Sequence, residues 1–179
     1  MNKLSQSRRR FLKQSSVASV LAFSPSMAIQ AQNRKVSSIG LQLYSLRNEM
    51  AADFEGTLQK VAELGYKEMQ FAGYHGRSPE HVRRLLDRLG LTSPATHVSL
   101  NLVREDLEKQ IDIARKLGQK YIVIPSIPAD ERTLGHYENH AKTLNEAGKQ
   151  CKEAGLTVAY HNHSFEFEMQ NNKIIILAD

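Results

Sequence analysis

Apolar residues recur along the chain with two alternating spacings, one helical and one extended. In four stretches an apolar residue returns every three or four positions, which is the spacing that buries one face of a helix. Each stretch ends near a glycine, the residue that most readily adopts the left-handed conformation closing a helix. The predicted faces are Phe54, Leu58, Val61 and Ala62; Val82, Leu85, Leu86 and Leu89; Leu107, Ile111, Ala114 and Leu117; and Tyr137, Ala141, Leu144, Gly148 and Cys151.

Short apolar runs alternate with these helices and predict five strands. Asp53 can cap the first helix, and Ser78 followed by Pro79 can cap the second. Strands that alternate with helices are typical of a parallel sheet, in either a doubly wound fold or a barrel. The predicted strands are residues 39–44, 67–71, 92–97, 121–125 and 156–161.

The end of the first predicted strand favours the barrel. A dinucleotide-binding, doubly wound sheet carries Gly-x-Gly-x-x-Gly at this point, whereas residues 44–49 contain no glycine. In a barrel, one face of each strand points inward and functional groups lie at the carboxyl ends. We therefore predict an α/β fold, a (β/α)8 TIM barrel of which about five βα units are present. The inward polar set is Gln42, Tyr44, Glu68, Gln70, His97, His161 and His163.

The first residues follow a different pattern. The motif Ser-Arg-Arg-Arg-Phe-Leu-Lys occupies residues 7–13, and an uncharged stretch with small residues near its end follows. Paired arginines before a mildly apolar run are the mark of a twin-arginine export signal. We predict a signal peptide over 1–31, a linker over 32–37, a barrel portion over 38–179 and export, already folded, to the periplasm. The alternative is an uncleaved membrane anchor, but the run falls short of the roughly 20 residues that a spanning helix needs.

The export motif also carries the excess of positive charge. The chain has 24 Lys and Arg against 19 Asp and Glu, and five of the basic residues precede residue 14. The remaining chain is balanced, so it has no electrostatic footprint for nucleic acid or an acidic membrane surface. Cys151 is the only cysteine, which excludes an intrachain disulfide and a thiolate metal cluster. We expect it to pack as a small apolar residue.

Histidines supply the candidate chemistry. His161 and His163 are two residues apart, so on a strand both imidazoles project to one side about 6.5 to 7 Å apart. Such a pair can bind one metal, or one ring can bind metal while the other contacts substrate. Alternatively, His163 lies in a loop beyond the strand and neither ring binds anything. His97 ends a strand, where a structural histidine and a substrate contact are both consistent with its position.

Three other side chains are candidate site residues. Glu166 could act as a catalytic acid or base, although a carboxylate in such a polar segment usually faces water. Gln70 suits hydrogen bonding to substrate hydroxyls, and Tyr44 could form an apolar wall for a sugar ring. The remaining histidines are expected on the surface. They are His75, His81, His136 and His140.

Three segments carry a resemblance to a known family. Residues 39–47, 64–74 and 160–167 resemble the sugar phosphate isomerase/epimerase family, which has a xylose isomerase-like TIM barrel. The resemblance implies a divalent metal (Mn, Mg, Co or Zn) held at the ends of strands five to eight, usually by Glu, Asp, His and Glu. His161 stands at the first of these positions in place of the glutamate, and Gln70 replaces an acid often found at the end of strand two.

This resemblance leaves three hypotheses open. The first is a metal-dependent isomerase or epimerase that transfers a proton next to the carbonyl of a sugar or sugar derivative. The second is a lyase or dehydratase acting on a keto-sugar or inosose-like substrate. The third is a non-catalytic sugar-binding or inactive truncated protein. Endonuclease IV shares the fold, but the charge balance and the export motif argue against a DNA substrate.

The length of the chain predicts an incomplete barrel. A whole barrel would need on the order of 100 more residues after the fifth strand. Five strands leave two unpaired parallel edges, which a homo-oligomer could cover. Apart from that possibility, we expect a small-molecule sugar as partner, with no nucleic acid and no stable membrane span after signal cleavage.

Overall fold

The structure is a computed structural model, and it describes residues 38–170 and 173–174. The predicted export signal over 1–31 and the linker over 32–37 lie outside the described residues. Because those segments carry the predictions on export and cleavage, these stay predictions. The described residues all belong to the region predicted to form the barrel portion.

Five strands form one parallel sheet in the order in which they occur in the sequence. They are β1 Gly40–Gln42, β2 Glu68–Phe71, β3 Thr92–His97, β4 Tyr121–Ile124 and β5 Thr157–Tyr160. Each strand pairs in parallel with the next, from β1 through β5. Sequential pairing is the arrangement of a barrel, whereas a doubly wound sheet reverses its strand order at a switch point. The sheet therefore confirms the predicted fold class, a partial TIM barrel.

Helices connect the strands, and their ends follow the predicted signals. Asp53 accepts a hydrogen bond from the backbone of Gly56 at 2.9 Å, and Ser78 Oγ accepts from His81 N at 3.2 Å. The helices are α1 Arg47–Ala52, α2 Phe54–Glu63, α3 Pro79–Leu89, α4 Leu100–Glu105, α5 Leu107–Leu117 and α6 Leu134–Glu153. The six-residue helices α1 and α4 were not predicted, because so short a segment shows no clear helical period.

The first strand is shorter than predicted. It ends at Gln42, and Leu43–Leu46 form a 3-10 turn. Leu43 is buried at 2 % exposure, whereas Tyr44 is 59 % exposed. Tyr44 therefore lies on a turn beyond the strand end and is not an inward residue of the strand itself.

The buried face of α6 is also different from the predicted one. Tyr137 and Cys151 are buried as expected, but His140 and Ala147 replace Ala141 and Gly148 between them. The prediction of a surface position for His140 is wrong, because this side chain is 1 % exposed. The error arose because histidine was counted as polar, although its spacing from Tyr137 fits the buried face.

Two apolar clusters support the sheet from the helix side. One surrounds β2 and includes Phe54, Met69 and Phe71, and the other surrounds β4 and includes Ile122 and Ile124. A short antiparallel hairpin, β6 Met169–Gln170 with β7 Lys173–Ile174, follows β5. Among the helices that the structure describes, none is long and apolar enough to cross a bilayer.

Candidate functional site

Polar side chains from three strands meet at the carboxyl edge of the sheet. Gln42 ends β1, His97 ends β3, and His161 follows the last residue of β5. The backbone of His161 still donates to Ile124 O at 2.9 Å, so the strand pairing extends to this residue. Because the strands are parallel, their carboxyl ends lie at one edge, where barrel enzymes have their active sites.

Three imidazoles lie in ring contact at this edge, and we call His97, His161 and His163 the histidine cluster. The ring centroids of His97 and His161 are 5.5 Å apart in an edge-to-face arrangement. Those of His161 and His163 are 4.8 Å apart. The structure thus brings together the three histidines that the sequence analysis selected from three separate positions.

Gln42 orients the ring of His97. Its amide Nε2 lies 3.3 Å from His97 Nδ1. An amide nitrogen can only donate, so Nδ1 accepts and the proton of the neutral ring lies on Nε2. His97 Nε2 is buried and has no hydrogen-bond partner in the described part of the chain. The Nε2–H group of His97 is therefore a donor without an acceptor among the described residues.

The same surroundings favour a neutral His97. Burial lowers the pKa of this imidazole, and the neighbouring rings of His161 and His163 lower it further. Desolvation and a like charge both penalise the protonated ring. A neutral ring adds no charge to the cluster, and its Nε2 proton is buried.

Glu166 contacts the backbone of the histidine cluster at His163 and is 3 % exposed. Tyr160 donates its hydroxyl hydrogen to Glu166 Oε1, and the backbone of His163 donates to Oε2 at 2.7 Å. Burial and the hydrogen bond to this carboxylate raise the pKa of Tyr160, so the phenol keeps its proton. We call Tyr160, His163 and Glu166 the β5 anchor. Both carboxylate oxygens of Glu166 are occupied within the protein.

The other predicted site residues lie beside the cluster. Gln70 on β2 is half-buried and pairs in register with Gln42 on β1. Tyr44 is exposed on the turn after β1 and borders a small cavity together with His75. His75 is exposed, which confirms its predicted surface position, but its proximity to Tyr44 was not predicted.

Sequence reasoning also missed a polar cluster that holds the loop after β4. Arg104 forms two hydrogen bonds to the carboxylate of Glu131, at 3.2 and 2.8 Å. Its Nη2 also donates to His140 Nδ1 at 3.0 Å, and His140 Nε2 donates to Glu131 O at 3.0 Å. Both ring nitrogens of the buried histidine are satisfied, so its role is structural. The spacing of His140 from Tyr137 was the signal that could have found it.

The described residues hold no complete metal site. Within them, no group of three or more His, Cys, Asp or Glu side chains is arranged to hold a metal ion. His161 is exposed at the end of β5 and can offer one nitrogen. The Nδ1 atom of His97 is occupied by Gln42. His163 is exposed beside His161, and two imidazoles are fewer ligands than a metal site needs.

Comparison with known proteins agrees with the fold. The model of the xylose isomerase-like TIM barrel family matches residues 58–173. A sugar phosphate isomerase/epimerase from Parabacteroides distasonis is 26 % identical and superposes with a TM-score of 0.63, over 77 % of this chain and 55 % of its own. A second structure of the same description is also 26 % identical, with a TM-score of 0.62 over 73 % and 56 %. No curated protein matches the chain.

More distant structures share the fold alone. An L-ribulose 3-epimerase is 17 % identical, with a TM-score of 0.53 over 67 % of this chain and 48 % of its own. The IOLI protein, whose structure holds a zinc atom, is 12 % identical, with a TM-score of 0.52 over 69 % and 50 %. The chain spans about half the length of these structures. Because the family model covers well over half of its residues, the chain belongs to the xylose isomerase-like TIM barrel family.

Proposed function

We propose that the protein is a metal-dependent isomerase or epimerase of a sugar or sugar derivative, which transfers a proton next to a carbonyl. The observation that carries this proposal is the histidine cluster with Gln42 at the carboxyl edge of the parallel sheet. Two structural neighbours at 26 % identity are described as sugar phosphate isomerase/epimerases, which supports the substrate class.

In this proposal His161 is a metal ligand, because its exposed imidazole follows β5, where the family resemblance implies the first ligand. A bound divalent metal would polarise the oxygens of the sugar. His97 is half-buried and contacts the sugar through the exposed part of its ring, which Gln42 holds in place. His163, Gln70 and Tyr44 contact the substrate around it.

Glu166 has a positioning role in this scheme. A catalytic acid or base must reach the substrate, whereas both oxygens of Glu166 are hydrogen-bonded to Tyr160 and His163. Its burial also separates it from solvent. We assign to Glu166 the placement of His163 and of the chain that follows β5.

A lyase or dehydratase on a keto-sugar is the second candidate. The observation that favours it is His161 itself, a neutral nitrogen donor where the family resemblance implies a glutamate. A histidine ligand leaves a bound metal with more net positive charge than a carboxylate does, and this would stabilise an enediolate. Both candidates begin with proton removal beside a carbonyl, so the fate of the substrate distinguishes them.

Metal content of the intact protein tests the proposal first. We expect Mn²⁺, Mg²⁺, Co²⁺ or Zn²⁺ to bind, and His161→Ala to weaken binding at least about tenfold. His136→Ala, an exposed histidine on α6, is the matched control and should bind metal normally. A protein without bound divalent metal, unaffected by His161→Ala, would refute both catalytic functions and favour a non-catalytic sugar-binding protein.

The reaction is then followed by NMR with aldoses, ketoses and keto-sugars as substrates. Isomerisation or epimerisation retains all the atoms of the substrate, whereas dehydration releases water and gives a new unsaturated or deoxy product. If the dehydrated product alone appears, the lyase function is supported and the isomerase function is refuted.

We also propose export of the folded protein to the periplasm, supported by the motif over residues 7–13. Cell fractionation of the intact protein should find it in the periplasm. Replacement of Arg8 and Arg9 by lysine should retain it in the cytoplasm, and unchanged export of that variant would contradict the proposal.

A further inference from the structure

The loop between β2 and α3 holds one residue in an unusual conformation. His75 has φ of 49°, and it is the one non-glycine residue with positive φ in the part of the chain that the structure describes. Residues other than glycine rarely adopt positive φ, and they keep this backbone conformation where the surrounding structure enforces it. The conformation of His75 therefore needs a structural cause.

Arg77 provides that cause. Its Nη1 donates to His75 O at 2.8 Å, while Nε and Nη2 donate to the carboxylate of Glu55 at 3.2 and 3.1 Å. His81 Nε2 lies 3.0 Å from the same carboxylate. We call Glu55, Arg77 and His81 the β2 anchor. Because Glu55 fixes Arg77 and Arg77 fixes the loop, His75 is held at the edge of the sheet.

A cavity of about 90 Å³ lies beside this loop. Its polar and charged lining comes from Tyr44, Arg47 and His75, and Leu43 and Met50 form an apolar floor. It lies beyond the ends of β1 and β2, at the same edge as the histidine cluster. The volume has room for a few water-sized atoms, which suits one substituent of a ligand and not a whole sugar.

The charge at this cavity is positive. Arg47 is exposed and forms no ion pair with an acidic side chain anywhere in residues 38–169. Its Nη1 donates to Tyr44 O at 3.2 Å, and the guanidinium lies 4.9 Å from the centroid of the Tyr44 ring. The planar guanidinium has five N–H donors, so most of them stay available to a ligand.

We propose that this cavity binds an anionic substituent, a carboxylate or a phosphate, on the sugar substrate. Arg47 supplies the charge and paired N–H donors, and His75 supplies a second nitrogen donor. Tyr44 forms the wall that separates this group from the sugar carbons nearer the histidine cluster. The sugar part of this proposal rests on the proposed function, but the anion site itself does not.

Binding of small anions to the intact, metal-free protein tests the site directly. The probes are inorganic phosphate, a hexose phosphate, a hexuronate and a neutral hexose, each measured by titration calorimetry. We expect the hexose phosphate or the hexuronate to bind at least about tenfold more tightly than the neutral hexose. The stronger of the two identifies the anion, and equal binding of all three sugars would overturn the proposal.

Variants locate the site. Arg47→Ala should lose about tenfold in affinity for the preferred anionic sugar, and Arg47→Lys should recover part of it. Arg88→Ala removes an exposed arginine from α3 and is the matched control, with unchanged binding expected. Equal losses in Arg47→Ala and Arg88→Ala would overturn the proposal, because the effect would then be one of net charge.

Variants of His75 distinguish the contribution of the loop conformation from that of the imidazole side chain. Asparagine and glycine both tolerate positive φ, so His75→Asn and His75→Gly preserve the loop conformation. His75→Asn keeps a polar side chain at this position, whereas His75→Gly removes it. We expect the glycine variant to bind the anionic sugar more weakly than the asparagine variant. These binding measurements do not depend on turnover. Anion binding that depends on Arg47 therefore supports the anion site even if the protein does not isomerise sugars. Isomerisation of neutral sugars that is unaffected by Arg47→Ala would refute the anion site and leave the proposed function standing.

Discussion

Two loops at the carboxyl edge of the sheet are each held by a glutamate, but by opposite means. In the β2 anchor the Glu55 side chain is 39 % exposed and its partners, Arg77 and His81, are basic. In the β5 anchor Glu166 is 3 % exposed and its partners are a phenol and a backbone N–H. One loop is held by charge in contact with water, and the other by hydrogen bonds away from it.

The two anchors differ in how strongly they stabilise their loops. An exposed ion pair contributes little to stability, since water and salt screen it and long side chains lose freedom in forming it. A buried carboxylate must have a partner for each oxygen, and its donors lose their own partner when it is removed. We therefore expect the β5 anchor to be the more rigid of the two, as suits the loop that carries His161 and His163 of the histidine cluster.

Removal of the buried carboxylate is expected to have the largest effect. Glu166→Ala leaves the Tyr160 hydroxyl and the His163 backbone N–H without their acceptor. The loss of two hydrogen bonds to a charged group predicts a decrease of about 3 kcal/mol in the free energy of unfolding. Urea denaturation of the intact protein measures this decrease.

Glu168 provides the matched control for this change. It lies two residues away, is exposed, and its replacement by alanine should change stability by less than about 0.5 kcal/mol. If Glu166→Ala were no more destabilising than Glu168→Ala, the β5 anchor would not be a buried hydrogen-bonded unit and the comparison would fail.

A smaller, pH-dependent effect is expected from the exposed carboxylate. The hydrogen bond from Arg77 lowers the pKa of Glu55 from 4.5 to about 2. A lowered pKa in the folded state stabilises the protein above the unfolded value, and this contribution is lost as the pH falls toward 2. Discounted for exposure, Glu55→Gln should cost about 0.5–1 kcal/mol at pH 7. Urea denaturation from pH 7 to pH 2 should show the two proteins converging below about pH 4, and a constant difference would contradict the ion pair.

The repeating architecture was predictable because it follows from local spacing. The predicted strand over 92–97 matches β3 at both ends, and the apolar face of α5 is the predicted one. β1 was predicted too long, because Leu43 continues the apolar alternation although its burial comes from a turn. Periodicity records which side chains are buried and not which backbone conformation buries them.

The site was predictable only as a set of positions. Strand ends indicated His97, His161 and His163, because parallel strands bring their carboxyl ends together. The hydrogen bond from Gln42 to His97 and the burial of Glu166 depend on contacts between residues distant in sequence or on a turn after β5. The pairing of Glu55 with Arg77 joins α2 to the loop before α3, and no local signal specifies such a pair.

Salt gives the smallest expected effect and the most selective one. At 1 M salt the Debye length falls to about 3 Å, so the exposed pair of Glu55 and Arg77 should lose most of its contribution. The effect of Glu55→Gln on the free energy of unfolding should shrink toward zero between 0.1 and 1 M NaCl. The effect of Glu166→Ala should persist, because its donors carry no net charge and water is excluded from the carboxylate. Equal salt sensitivity of the two variants would show that both loops are held by charge, and the distinction between the anchors would then be one of burial alone.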